Sequence, residues 1–181
     1  IETPAAERIL SILAHTQSTR DMALVFGGPG VGKTSSLRHF VSFYPERAWM
    51  VTMQPSCSGL VSALETVSTA LGCGIATGGA RRISTAIQDH LKEERGCILI
   101  IDEAQHLSIA AIEELRSIHD PSDCGLVFVG SETSYARLTG GNRTAHYAQI
   151  FSRIGVRLQV QRPSAEDVNA ICDAWRVKDK R

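Results

Sequence analysis

The feature that most constrains the fold is a glycine-rich stretch preceded by a short apolar run. Residues 22–26 read Met-Ala-Leu-Val-Phe, which is typical of a buried strand, and residues 27–34 read Gly-Gly-Pro-Gly-Val-Gly-Lys-Thr. The spacing Gly-x-x-x-x-Gly-Lys-Thr is the complete pattern of a phosphate-binding loop. Residues 35–43 can follow it as a helix. A strand, a loop of this composition and a helix, in that order, predict a nucleotide-binding site.

Each residue type in this loop has a physical role in holding phosphate. Glycine permits the tight turns that aim successive backbone N–H groups at one anion, and the following helix adds the positive end of its dipole. Lys33 can reach the β- and γ-phosphates, and the Thr34 hydroxyl can ligate Mg²⁺. The predicted nucleotide contacts in this stretch are Gly28, Pro29, Gly30, Val31, Gly32, Lys33, Thr34 and Ser35.

Polar residues also follow two later apolar runs. Residues 97–101 are continuously apolar and are followed by Asp102 and Glu103, and the run at 126–130 is followed by Ser131. In a parallel sheet, ligands bind beyond the carboxyl ends of the strands. We therefore expect the phosphate-binding loop, Asp102 and Ser131 to line one crevice.

The chemistry of these residues suits nucleotide hydrolysis. Asp102 is expected to hold Mg²⁺ together with Thr34, partly through water, because Mg²⁺ keeps much of its hydration. Glu103 could orient and polarise the water that attacks the γ-phosphate. Ser131, or Glu132 beside it, could sense the γ-phosphate; the alternative role for Ser131 is a helix N-cap.

Strand-like and helix-like segments alternate along the chain. Apolar strand patterns cover residues 22–26, 48–53, 97–101, 126–130 and 156–160, and helical patterns cover 58–71, 81–95 and 108–118. Thr3 before Pro4 predicts the N-cap of a first helix. Ser164 and Asp167 predict a capping box for a last helix over 165–178. This alternation predicts an α/β fold with a parallel sheet.

Composition narrows the class of protein. The 181 residues include 19 Lys and Arg and 19 Asp and Glu, so the net charge is zero and any nucleic-acid site must be a local cluster of cations. The five cysteines are scattered without a Cys-x-x-Cys pair, which favours reduced thiols and a cytoplasmic location. We find no apolar run long enough to span a membrane and no signal peptide, so no membrane partner is expected. Because the chain begins at Ile1, we expect a fragment of a longer protein.

Two motifs resemble those of the AAA+ branch of the P-loop ATPases. Residues 27–34 resemble its Walker A motif, and residues 98–105, Ile-Leu-Ile-Ile-Asp-Glu-Ala-Gln, resemble its Walker B motif. Three further signals are the following His-Leu, the Val-Gly-Ser at 129–131 and the Ile-Phe-Ser-Arg-Ile-Gly at 150–155. Together they are similar to the subgroup that holds the phage MuB transposition protein, TnsC-like transposition regulators and ExeA-like secretion ATPases.

This resemblance implies the architecture and a trans-acting arginine. The implied fold is a three-layer α/β/α P-loop NTPase with a five-stranded parallel sheet over residues 1–162. The start of a helical lid, largely missing, is implied at 163–181, so its sensor arginine cannot be assigned. In the family, an arginine just before the fifth strand reaches a neighbouring subunit's nucleotide. Arg153 is at that position and joins Glu103 and Lys33 as a predicted catalytic residue, with Arg143 as the alternative.

The resemblance also implies a function. The implied protein is an ATPase with ATP and Mg²⁺ as cofactors. Its nucleotide state controls self-assembly into an oligomer or helical filament on double-stranded DNA during transposition. A transposase is a possible partner. The ExeA-like relatives leave open an ATP-gated scaffold for membrane secretion. A small-molecule kinase is a third alternative, against which Glu103 beside Asp102 argues.

The predicted DNA contacts are Arg81 and Arg82, at the start of a helix after a glycine-rich connection. A helix N-terminus and two adjacent guanidinium groups favour phosphate oxygens. The alternative is an ordinary solvated helix face on which these arginines pair with Asp89 or Glu93.

Overall fold

Helices and strands alternate in the structure as the sequence predicts. The structure, a computed structural model, describes residues 3–74, 79–132 and 153–177. Its elements in chain order are α1 Pro4–Thr19, β1 Met22–Gly27, α2 Lys33–Phe43, β2 Ala48–Thr52, α3 Leu60–Leu71, α4 Ala80–Glu93, β3 Cys97–Asp102, α5 Ile109–His119, β4 Cys124–Gly130, β5 Ile154–Val160 and α6 Ala165–Ala174. Short 3-10 turns at Pro55–Cys57 and Ala104–His106 precede α3 and α5.

The strands form one parallel sheet in the order β2-β3-β4-β1-β5. The prediction of a five-stranded parallel sheet is therefore confirmed. Phe26 of β1 pairs with Gly130 of β4, and Thr52 of β2 pairs with Asp102 of β3. Since the strands run in one direction, the residues that follow them meet at the same edge of the sheet.

Helices cover both faces of the sheet, which explains the continuous apolar sequences of its central strands. Every residue of β1, β3 and β4 is buried. Successive side chains point to opposite faces. Leu24 and Leu99 pack in a core with α3, α4 and α5, whereas Val25 and Ile100 pack in a second core with α1 and α2. The architecture is thus the predicted three-layer α/β/α arrangement.

The predicted capping signals are confirmed at the first and last helices. The Thr3 hydroxyl accepts a hydrogen bond from the Ala6 N–H at 3.1 Å. Ser164 and Asp167 form both bonds of a capping box at the start of α6. Such caps satisfy N–H groups that have no partner inside the helix.

Several predicted bounds are wrong. Helix α4 ends at Glu93 rather than at 95, and β5 begins at Ile154 rather than at 156. The last helix ends at Ala174 instead of continuing to 178, because Arg176 adopts a left-handed φ of 52° that stops the helix. Helix α3 begins at Leu60 rather than at 58, after the 3-10 turn described above. Within the described ranges, none of the helices combines the length and apolar character that crossing a bilayer would need. The division between a core ending at 162 and a lid starting at 163 stays a prediction.

Candidate nucleotide-binding site

The glycine-rich loop leaves the end of β1 and leads directly into α2. Gly30 and Gly32 have φ angles of 76° and 84°, a left-handed conformation that residues with a Cβ adopt only at a cost. Gly32 is the N-cap of α2 and makes no side-chain capping bond. The N–H groups of the first turn of α2 therefore need an outside partner, which an anion can supply.

Lys33, the first residue of α2, is held against the loop. Its ammonium group donates to the carbonyl oxygens of Gly27 and Gly28 at 3.0 and 2.7 Å. Partial burial lowers the pKa of Lys33, and the nearby carboxylates of Glu103 and Asp102 oppose that shift. The cation thus lies at the loop and within the electrostatic influence of both strand-end carboxylates.

Thr34 and Asp102 are in direct contact, although they are far apart in the sequence. The Thr34 hydroxyl donates to Oδ2 of Asp102 at 2.8 Å, and the Glu103 N–H donates to Oδ1 at 3.0 Å. Asp102 is only 1% exposed, and this burial raises its pKa despite the two hydrogen bonds and the charge of Lys33. Hydroxyl and carboxylate oxygens at this spacing suit Mg²⁺, which prefers hard oxygen ligands.

Glu103 begins a sharp turn just beyond β3. Its backbone has a left-handed φ of 55°, an uncommon conformation for a residue that is not glycine. Its carboxylate accepts a hydrogen bond from Nε2 of Gln105. The Oε1 atom of Gln105 accepts from the Ser131 N–H at 3.2 Å. The structure therefore brings Ser131 to the same edge as Glu103, and Gln105 connects the two residues.

A cavity of about 620 Å³ lies beside the loop, between α1, α2 and α6. Ala5 and Leu10 of α1, residues 30–32 of the loop and Ile171 of α6 are among its lining residues. Asp167 of α6 connects to the α1 wall, because its Oδ1 accepts from the Ala5 N–H at 2.9 Å. Its Oδ2 accepts from the Ser164 N–H, in its own helix cap, at 2.8 Å. These bonds lower the pKa of Asp167. The cavity is of a size that suits a small organic ligand, and its position suits the base and sugar of a nucleotide.

Arg153 lies far from this site in its own chain. The residue after it, Ile154, pairs with Met22, the first residue of β1, whereas the loop follows Gly27, the last residue of that strand. Six residues of a strand span about 20 Å. The exposed Arg153 is therefore at the opposite edge of the sheet from the loop. Arg143 lies outside the described residues.

Arg81 and Arg82 are also separate from the phosphate-binding loop. Both are exposed in the first turn of α4, which packs on the opposite face of the sheet from α2. They line an open groove together with Thr85 and Asp89. Their exposure fits both a DNA contact and an ordinary solvated helix face, so the role of this pair stays a prediction.

Sequence reasoning missed two parts of the site. The sequence indicates Gln105 only as part of a motif, although an amide two residues after Glu103 is a signal for a partner of that carboxylate. The cavity beside the loop had no sequence signal, because residues near 5, 31 and 171 meet only in three dimensions. The predicted helix N-cap role of Ser131 involves residues beyond 132, which are outside the described ranges.

Two family models match the chain. The model of the AAA domain matches residues 15–138, and that of the Mu B transposition protein, C terminal, matches residues 152–181. Together the matched ranges contain both carboxylates, the complete loop and Arg153.

The similar proteins include transposition proteins of phages and prophages. The chain is 35% identical over 181 residues to the ATP-dependent target DNA activator B of Escherichia phage Mu, covering 100% of this chain and 57% of that protein. It is 35% identical over 176 residues to the Mu-like prophage FluMu DNA transposition protein B of Haemophilus influenzae, covering 97% and 61%. The chain thus spans little more than half of the length of these relatives. Among solved structures, a Walker-type ATPase of Pyrococcus abyssi shares the fold with a TM-score of 0.62 at 14% identity, covering 96% and 59%.

Proposed function

The chain belongs to the AAA-domain family and matches the Mu B transposition family at its C-terminal end, and from this premise we propose that it binds and hydrolyses ATP to control its assembly on target DNA. The observation that carries the proposal is the contact of Thr34 with Asp102 beside Lys33. These three residues meet in a chain similar to an ATP-dependent target DNA activator. The same similarity favours transposition over the secretion scaffold that the sequence left open.

The loop supplies most of the ATP-binding contacts in this proposal. Backbone N–H groups of Gly28 and of residues 30–35 hold the phosphates, whereas Pro29 has no N–H to donate. The ammonium group of Lys33 exchanges its carbonyl partners for phosphate oxygens. The base and sugar occupy the cavity between α1 and α6. Thr34 and Asp102 fit Mg²⁺ by their oxygen donors and by the buried negative charge that a cation compensates. When bound, Mg²⁺ would neutralise charge on the β- and γ-phosphates.

Glu103 is the proposed base for hydrolysis. Its carboxylate takes a proton from the attacking water as the water oxygen bonds to the γ-phosphorus. The bond between the γ-phosphorus and the β–γ bridging oxygen breaks, which releases ADP and phosphate. Lys33 counters the charge on the transferring group. Ser131, at the end of the neighbouring strand, is the proposed sensor of the γ-phosphate.

Arg153 is proposed to complete the site of a neighbouring subunit. The strand register supports this proposal, because about 20 Å of strand separates Arg153 from the loop of its own chain. A trans-acting arginine can raise the rate about 10³–10⁵-fold by countering charge in the transition state. Hydrolysis should then depend on assembly into an oligomer or filament.

Double-stranded DNA is the proposed partner of the exposed pair Arg81 and Arg82. Their guanidinium groups lie at the N-terminus of a 14-residue helix, and their groove is open to solvent. One subunit would supply few phosphate contacts, so binding should be weak until ATP assembles many subunits. The protein is proposed to act on DNA together with a transposase, in the cytoplasm.

The test measures duplex binding by the full-length protein over a salt series, with and without ATP. We expect ATP-dependent binding, and Arg81→Ala/Arg82→Ala should weaken it and reduce the salt slope by about 2. The matched control is Arg38→Ala/Arg47→Ala, which removes the same charge from exposed positions on and after α2. Equal binding by both double variants would dismiss this DNA site. Binding that ignores ATP in the wild type would contradict the proposed function.

A further inference from the structure

The side chain of Gln105 bridges two predicted site residues that belong to different strand ends. It is the middle residue of the 3-10 turn after β3. Its Nε2 donates to the carboxylate of Glu103, and its Oε1 accepts from the backbone N–H of Ser131 at 3.2 Å. One amide group therefore contacts both the candidate base and the end of β4.

The turn that places this amide is held by its own hydrogen bonds. Glu103 has φ and ψ angles of 55° and 39°, a left-handed conformation between the end of β3 and the 3-10 turn. The His106 N–H donates to the Glu103 carbonyl at 3.0 Å, and the Leu107 N–H donates to the Ala104 carbonyl at 3.1 Å. Ala104 is buried and packs into the core. A left-handed conformation is strained for a residue other than glycine, and such strain concentrates at functional sites.

An amide is the side chain that this bridge requires. A carboxylate can only accept a hydrogen bond, and a backbone N–H can only donate one. The nitrogen of the amide must therefore face Glu103 while its oxygen faces Ser131, and only one orientation satisfies both partners. Glutamate would retain the acceptor but would place a second negative charge against Glu103. Asparagine is one methylene shorter, so it would fail to reach both partners.

We propose that Gln105 is a positioning residue that fixes the carboxylate of Glu103 for hydrolysis and connects its orientation to the end of β4. This inference rests on the proposed ATPase function. Because Ser131 is the proposed γ-phosphate sensor, a shift of its backbone on nucleotide binding changes the acceptor position of Gln105. Nε2 of the same amide then moves together with the Glu103 carboxylate. The carboxylate is therefore oriented for hydrolysis only when the backbone at the end of β4 holds the Gln105 amide in position.

The experiment separates ATP binding from the chemical step. In the full-length protein, Gln105→Met removes both hydrogen bonds with little change of side-chain length. Gln105→Glu keeps the acceptor for the Ser131 N–H but replaces the donor to Glu103 with a second carboxylate. We expect kcat to fall about 10–100-fold in both variants, the scale of a misplaced reacting group, while the ATP dissociation constant stays within about twofold of the wild type. Gln88→Met makes the same change at a bond to Lys92 on α4 and should leave kcat unchanged.

The outcomes distinguish this inference from the proposed function. If the wild type hydrolyses ATP, Glu103→Gln does not, and both Gln105 variants keep normal kcat, the positioning role is wrong and the ATPase function stands. If the Gln105 variants lose ATP affinity and thermal stability along with kcat, Gln105 is merely structural and the inference is overturned. If the wild type and Glu103→Gln show equal turnover, the proposed function itself is wrong.

Discussion

Gly27 joins β1 to the phosphate-binding loop and approaches β5 too closely to carry a side chain. A Cβ at this position would lie 2.3 Å from the Val160 carbonyl oxygen and 3.1 Å from its carbonyl carbon. Close carbon–oxygen contacts between strands are normally about 3.3–3.6 Å. Gly27→Ala therefore requires β1 and β5 to separate by about 1 Å at the edge that bears the loop.

The expected cost of Gly27→Ala is that of overpacking between backbone segments, about 1–3 kcal/mol. For a chain of this size, 1 kcal/mol shifts Tm by about 2–4 °C, so Tm should fall by about 2–12 °C. The Gly27 carbonyl also accepts a hydrogen bond from Lys33 at 3.0 Å. A shift of the loop would misplace that cation, and we expect ATP affinity to fall at least about tenfold, or 1.4 kcal/mol.

Gly28→Ala is the matched control for thermal unfolding of the nucleotide-free protein. A Cβ at Gly28 would meet no atom within 4 Å, and its φ is not positive. Circular dichroism should thus show a clear loss of Tm for Gly27→Ala and almost none for Gly28→Ala. Equal Tm values for the two variants would refute the close approach of β1 and β5 and the loop position derived from it.

The remaining predictions concern Lys33, Asp102 and Arg153. Lys33→Ala should weaken ATP binding about 10–100-fold in a nucleotide titration, because a charged hydrogen-bond donor is lost; unchanged affinity would remove Lys33 from the site. Burial raises the pKa of Asp102 above its unfolded value, so the ionised group opposes folding at neutral pH, and Asp102→Asn should raise the Tm of the nucleotide-free protein. This increase in Tm should shrink as the pH falls through the raised pKa of Asp102 and should vanish below the pKa of Asp in the unfolded chain, about 3.9. An increase in Tm that is independent of pH would contradict burial of the charge as its cause. Arg153→Ala should bind ATP normally, hydrolyse it poorly and regain part of its turnover when mixed with Lys33→Ala subunits, since intact Arg153 then faces intact loops. No gain on mixing would argue against a trans-acting Arg153.

The fold and the chemistry at strand ends could be predicted because their signals are local. Continuous apolar runs marked the buried strands, and Thr3 and Ser164 marked helix starts through bonds that span only three residues. The contact of Thr34 with Asp102 followed from the rule that parallel strands end at one edge. These predictions depend on the direction of the strands and do not require knowledge of how the side chains pack.

Other parts of the site could not be predicted because they depend on contacts between distant segments. The bond from the Ala5 N–H to Asp167 joins residues 162 positions apart, and nothing near either residue indicates it. The Ser131 N–H contacts Gln105 because β4 lies beside β3, a neighbour relation set by the whole sheet. The end of α6 was misplaced because Arg176 adopts a left-handed conformation without being a glycine.

Glu103 is proposed to drive ATP hydrolysis at a site formed by the loop and Asp102. This role is tested most directly by phosphate release from ATP with Mg²⁺ and duplex DNA, comparing the full-length wild type with Glu103→Gln, alongside an ATP-binding titration. We expect the ATP affinity of Glu103→Gln to stay within about threefold of the wild type. Phosphate release should fall at least about 100-fold, because the amide cannot take up a proton. Near-normal phosphate release by Glu103→Gln would contradict this role.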